Sequence, residues 1–189
     1  MGNRGILHEG HEIVRSSRNR AWLTCTLSFK NQKLPQWEPG HYTQLFFLDE
    51  AVALAAGHRP CAECRRGAYN DFRTAWVEGR SSLMAEDEPG RPSAKELDQQ
   101  LHRERRDPVS RKQQVHEQNW ADLPDGGFVL LEAGPAVVVG DHLTGWTAGN
   151  RYGERFRRPG LGRAIVLTPP SSLRALQAGY PVQLDSAAL

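Results

Sequence analysis

An α+β architecture is what these 189 residues predict, with a small strand-helix-knuckle module packed on a β-rich C-terminal half. Three observations carry that expectation. Trp22 to Phe29 alternates apolar and polar residues with a period near two, as a half-buried strand does. A short alanine-rich stretch, Glu50 to Ala56, is bracketed by helix-ending signals and runs straight into a Cys-x-x-Cys step. The last third carries separate β-branched runs punctuated by Gly and Pro.

In chain order, residues 1–48 read as polar arms and short strands. Asn31, Gln32, Lys33 and Pro35 break the first strand, and Tyr42 to Leu48 is a second strand candidate. Asp49 suits the N-cap of the short helix and Gly57 its C′ position. Arg65 to about Arg80 reads as a second helix, with Tyr69, Phe72 and Trp76 on one face. Ser81 to Pro92, acidic and Pro/Gly-containing, is the candidate linker, which divides the chain into a module at 1–82 and a second unit at 93–189. Ser93 with Glu96 forms a capping box that opens a third helix, and Leu97 and Leu101 point it at the core. Strands follow at Phe128 to Leu131, Ala136 to Val139 and Ala164 to Leu167, the first two joined as a hairpin. Pro169 and Pro170 lead into a final helix closed by Gly179.

Composition narrows the function classes. A net charge of +2 is too small to demand an anionic partner. The basic residues are 20 arginines against four lysines (Lys30, Lys33, Lys95, Lys112). Arginine's planar fork suits phosphate and base edges, although a GC-rich genome produces the same bias. No apolar run approaches a membrane span, and the N-terminal residues are too polar for a secretory signal. Three cysteines, an odd number, argue against a disulfide framework, so a reducing, cytoplasmic setting is expected. No phosphate-binding Gly-rich loop and no Gly-x-Ser-x-Gly elbow is present.

The chemistry concentrates at the cysteines. Cys61 and Cys64 form the Cys-x-x-Cys step and Cys25 lies upstream. Two thiolates so spaced can share a tetrahedral ion at roughly 2.3 Å from each sulfur. Three cysteines need a histidine to close the site, or the fourth position stays open. That choice separates a structural zinc from a catalytic one. His58 adjoins the knuckle, His41 follows a Pro-Gly turn, and His8 and His11 lie in the polar arm, where they could fold back. His58 is the first choice, giving Cys25, His58, Cys61 and Cys64 around Zn2+, although a cation beyond a helix C-terminus accounts for His58 equally well. A zinc deaminase needs His-x-Glu upstream of Pro-Cys-x-x-Cys, and His8-Glu9 and His11-Glu12 have the wrong spacing. A thioredoxin-like Cys-x-x-Cys should follow a strand, whereas here an alanine-rich helix precedes it.

The stretch from Leu45 through Asp49, the alanine-rich helix, Gly57, Arg59, Pro60, Cys61 and Cys64 resembles part of the Ada-type zinc-binding domain of bacterial DNA repair. The match covers about 20 residues tightly and implies zinc binding with a role on DNA. In that domain an upstream ligand pair completes four-coordination, and here Cys25 stands alone, so its methyl-acceptor chemistry does not carry over. The rest of the chain, with Asn3-Arg4-Gly5 and Phe46-Phe47-Leu48-Asp49-Glu50, resembles a bacterial family that supplies no activity.

A second basic region, Arg151, Tyr152, Arg155, Arg157 and Arg158 with Phe156 between, interleaves cations with aromatics as single-strand binders do. Its plainer reading is an exposed loop between strands. Arg59, Arg65 and Arg66 beside the knuckle would extend such a surface, while Arg103, Arg105 and Arg106 are accounted for by the helix dipole. The expectation is therefore a zinc protein that binds or processes nucleic acid, DNA before RNA. The alternative is a zinc enzyme acting on a small molecule, its open site made of two cysteines and one histidine.

Overall fold

The computed structural model describes residues 1–30, 35–81, 90–147, 149 and 151–189. Eleven strands are described: β1 (Gly2–Asn3), β2 (His8–Glu9), β3 (Glu12–Ile13), β4 (Leu23–Thr24), β5 (Arg59–Pro60), β6 (His116–Asn119), β7 (Phe128–Leu131), β8 (Gly134–Val139), β9 (His142–Thr147), β10 (Arg151–Arg157) and β11 (Arg163–Val166). Four α-helices accompany them: α1 (Glu50–Ala55), α2 (Arg66–Ser81), α3 (Ala94–Arg105) and α4 (Pro170–Gln177). The fold is α+β, with strands in sheets of three, six and two. No described helix is long and apolar enough to cross a membrane. The expected strand breaker at Asn31-Gln32-Lys33 and most of the expected linker lie outside the described residues.

The N-terminal sheet is short because β1 takes the pairing that a longer hairpin would have used. β1 lies antiparallel to β4, and β4 runs parallel to β5. Only Leu23–Thr24 of the predicted 22–29 strand is laddered, and the 42–48 candidate reduces to a bridge between Leu45 and Gly2. Gly2 is required there, since a Cβ would stand 2.5 Å from Phe47 Cε2.

The six-stranded sheet has the order β10-β9-β8-β7-β11-β6, each neighbouring pair antiparallel. Val129, Val138, Leu143 and Val166 pack with Trp120 and Leu173 in one apolar cluster, and Phe128 and Val137 meet Ala51 and Val52 of α1 in another. A third cluster joins Leu54, Phe72 and Trp76 to Leu97, Leu101 and Leu176, so the stretches before and after the expected linker share a core. The local helix signals act as read. Asp49 accepts from Val52 N–H at 2.9 Å, and Ser93 and Glu96 form both halves of a capping box. Gly57 ends α1 at φ +81°. The basic 151–158 segment is not a loop: Arg151–Arg157 is edge strand β10.

Candidate metal centre

The parallel pair β4–β5 builds the centre. Cys25 follows β4 and Cys61 follows β5, and the Cys61 N–H donates to Thr24 O at 2.9 Å, so the two residues leave the sheet side by side. One turn beyond, the Arg65 N–H donates to Cys61 O, and that turn brings Cys64 back to the same point. The ligand atoms of Cys25, Cys61 and Cys64 all lie within 4.8 Å of one another. Tetrahedral zinc thiolates sit roughly 3.8 Å apart given Zn–S bonds of about 2.3 Å, so a small contraction closes the three on one ion. The cysteines are half-buried and unpaired by disulfides.

The three thiols act on one another's protons. Cys61 is pushed down to about 5, chiefly by the hydrogen bond from the Cys25 thiol, with the backbone N–H groups of Cys64 and Glu63 adding to it. The Glu63 N–H donates to Cys61 Sγ at 3.5 Å. Cys25 moves up, first because its proton is held toward Cys61 and then through burial. A bound metal ion would take the place of that shared proton. The donor set, three thiolates, suits soft or borderline ions.

His58 does not complete the set. It is fully buried, in contact with Phe47 (4.7 Å between ring centroids) and Trp22 (5.6 Å). Arg4 Nε donates to its Nε2 at 2.7 Å. A guanidinium can only donate, so Nε2 is the acceptor and Nδ1 carries the proton, which goes to Leu23 O at 3.0 Å. Both nitrogens are spent inside the protein. Burial, with the Arg4 charge next, holds the imidazole well below its ordinary range and therefore neutral, so the helix-terminus cation reading fails as well. His8 is buried with Nδ1 on Thr43 Oγ1 at 2.6 Å, and His41 and His11 are exposed. Among the described residues, no histidine belongs to the cysteine group.

The three cysteines instead open onto a cleft of about 430 Å³ that they line with Asn3, Leu23, Phe29, Tyr42 and Gln44 among others. Burial, followed by the charge of the sulfurs, raises the Tyr42 phenol. Tyr42, Asn3 and Gln44 escape sequence reading because β1 and the 42–45 segment meet only through tertiary pairing.

The residues expected to touch nucleic acid are scattered in role. Arg59 is buried in a two-pronged ion pair with Asp98, both contacts 2.8 Å. Arg65 binds Glu50 at 2.7 Å and Thr24 Oγ1 at 2.8 Å. The Tyr152 hydroxyl donates to Asp49 at 2.7 Å. Arg155 donates to Leu189 O, and Arg158 donates to Trp120 O, Leu123 O and Gly140 O. Arg66, Arg151 and Arg157 are exposed. No protein-family model, curated protein or solved structure matches the chain.

Proposed function

We propose that this chain is a zinc protein whose ion is held by Cys25, Cys61 and Cys64 and whose fourth position takes a ligand from the adjoining cleft. The observation that carries the reading is the trio of thiols converging at the floor of an open cleft with His58 committed elsewhere. Three protein ligands plus an exchangeable position is the arrangement of zinc sites that do chemistry, whereas structural sites are closed by a fourth residue. Such an ion polarises a bound carbonyl or activates a bound water. This favours the zinc-dependent enzyme acting on a small molecule, with three cysteines in place of two cysteines and a histidine. X-ray absorption of the zinc-loaded protein should give three sulfurs and one light atom, and cobalt-substituted protein should change its visible bands when imidazole or cyanide is added. A fourth protein ligand, or a spectrum indifferent to both additives, removes the reading.

Nucleic-acid binding is the second reading. It draws on the Ada-type resemblance and on exposed Arg66, which opens α2 directly after the knuckle. Anisotropy of a labelled oligonucleotide tests it: affinity should fall steeply with salt, and absence of binding at about 50 mM salt would end it.

A further inference from the structure

Away from the cysteines, four arginines gather without an ion-pair partner among the described residues. Arg4, Arg105, Arg106 and Arg111 line a cleft of about 200 Å³ together with Trp22 and Gln113. It shares Arg106 and Arg111 with a neighbouring hollow of about 420 Å³, to which Arg103 also belongs. Neither hollow shares a lining residue with the cysteine cleft. The sequence accounts for Arg105 and Arg106 as solvent-facing complements of the α3 dipole, yet Arg105 is 3% exposed. Its guanidinium lies 3.9 Å from the Trp22 ring centre, and that of Arg4 lies 3.7 Å from the same ring.

The acceptors of these guanidinium groups are neutral. Arg4 donates to His58 and Ala56 O, Arg105 to Gly57 O and Arg20 O, and Arg106 to Arg111 O and Ser16 Oγ. Among the described residues none of the four forms an ion pair, although nearby Arg59 has Asp98. No carboxylate lines the smaller cleft. Asp107 borders the larger one as its one carboxylate, with its Oδ1 accepting the N–H groups of Val109 and Ser110 and no ion pair to the arginines. The crowding of like charge registers on the arginines themselves. Arg105 is lowered to about 9 and Arg4 to about 10, burial first and neighbouring arginines next, with the Asp98 charge opposing part of the shift at Arg105.

Two further observations mark a built site. Arg105 Nε is a buried donor with no hydrogen-bond partner, which folded proteins rarely leave. Arg111 is held at φ +61°, a conformation that L-residues other than Asn or Asp adopt at a cost, and in it its carbonyl receives both Nε and Nη2 of Arg106. A multiply charged oxyanion supplies the missing charge and the missing acceptors together, and guanidinium forks match its oxygens in pairs. Trp22, 5% exposed, has no open face on which a base could stack.

We propose that the cleft of Arg4, Arg105, Arg106 and Arg111 binds a phosphate group, free or at the end of a nucleotide. Titration calorimetry and thermal melting of the 189-residue, zinc-loaded chain test it with inorganic phosphate, a nucleoside monophosphate and a short single-stranded oligonucleotide, each against chloride at equal ionic strength. Phosphate is expected to bind and to raise Tm. Equal affinity for phosphate and monophosphate assigns a free anion, whereas tighter binding of the monophosphate or the oligonucleotide assigns a nucleotide source. Arg111→Gln, at an exposed position, and Arg106→Gln should each weaken binding about tenfold, and Arg80→Gln with Arg163→Gln, both exposed and outside these hollows, should leave it unchanged. Absence of heat and of Tm shift with all three probes overturns the proposal. So does equal weakening by the distant pair, which would mark diffuse electrostatics. Because the wild-type titration stands alone, a variant that fails to fold leaves the outcome decided.

Discussion

Replacing His58 separates a ligand from a scaffold. The imidazole makes one neutral hydrogen bond to Leu23 O and one charge-assisted bond from Arg4, and its ring is enclosed by Phe47 and Trp22. A neutral bond contributes about 1 kcal/mol and a charged one about 1.5–3 kcal/mol. Each aromatic contact adds about 0.5–1.5 kcal/mol. His58→Ala should therefore cost about 3.5–7 kcal/mol, and His58→Gln, which keeps a polar group in place, about 1–3 kcal/mol. Zinc content should stay at its wild-type value in any His58→Gln protein that remains folded. The measurements are metal content after gel filtration and the urea midpoint of the same sample. A variant that keeps its urea midpoint and loses its zinc would refute the argument, because it would make His58 a ligand.

Four other outcomes follow from the same geometry. Cys25→Ser, Cys61→Ser and Cys64→Ser should each weaken zinc binding on the order of 100-fold or more, read by chelator competition. Asp98→Asn leaves Arg59 buried without its carboxylate and should cost about 3–5 kcal/mol in denaturant unfolding, more than Arg59→Met combined with Asp98→Leu. Gly57→Ala puts a Cβ at φ +81° and 2.7 Å from Arg105 Cδ, and should lower stability by about 1–3 kcal/mol in thermal melts. The lowered His58 gives a pH signature. Its unfolded form takes up a proton near pH 6.5 while the folded form does not, so stability should fall by up to about 1.4 kcal/mol for each pH unit below that value. The fall is absent above about pH 7.5, and the difference between wild type and His58→Gln, both zinc-loaded, isolates it.

What the sequence discloses and what it hides divide along local and non-local lines. Asp49, Gly57, Ser93 with Glu96, and Gly179 act within a few residues of themselves, and α1, α3 and α4 start or stop as they indicate. β10 was hidden because its register shifts between Tyr152 and Arg155, which breaks the alternation that would announce a strand. β6, His116–Asn119, is polar throughout and sits at the sheet edge against β11. β1 has two residues and no pattern at all. The cysteine trio was legible as a set because few other roles suit a Cys-x-x-Cys beside an alanine-rich helix. The identity of the fourth partner was not, since chain proximity favoured His58 while Arg4, 54 residues away, had already claimed it. In the same way Asp49 and Glu50 read as helix-start residues, yet they also receive Tyr152, Tyr180 and the backbone at Gln183 and Asp185, which ties the knuckle module to the C-terminal half.

One buried imidazole links the two chemical regions. Its Nδ1–H holds the carbonyl of Leu23, in the strand that ends one residue before Cys25. Its Nε2 receives Arg4, which lies against Trp22 as Arg105 does. A charged imidazolium could donate to Leu23 but could not accept from Arg4, so neutrality at this position lets one ring hold both the strand that leads to Cys25 and the Arg4 guanidinium. The fixed tautomer explains why a histidine three residues from Cys61 serves the cysteine site without touching a metal: it positions β4 beside β5, and the thiols meet because those strands do.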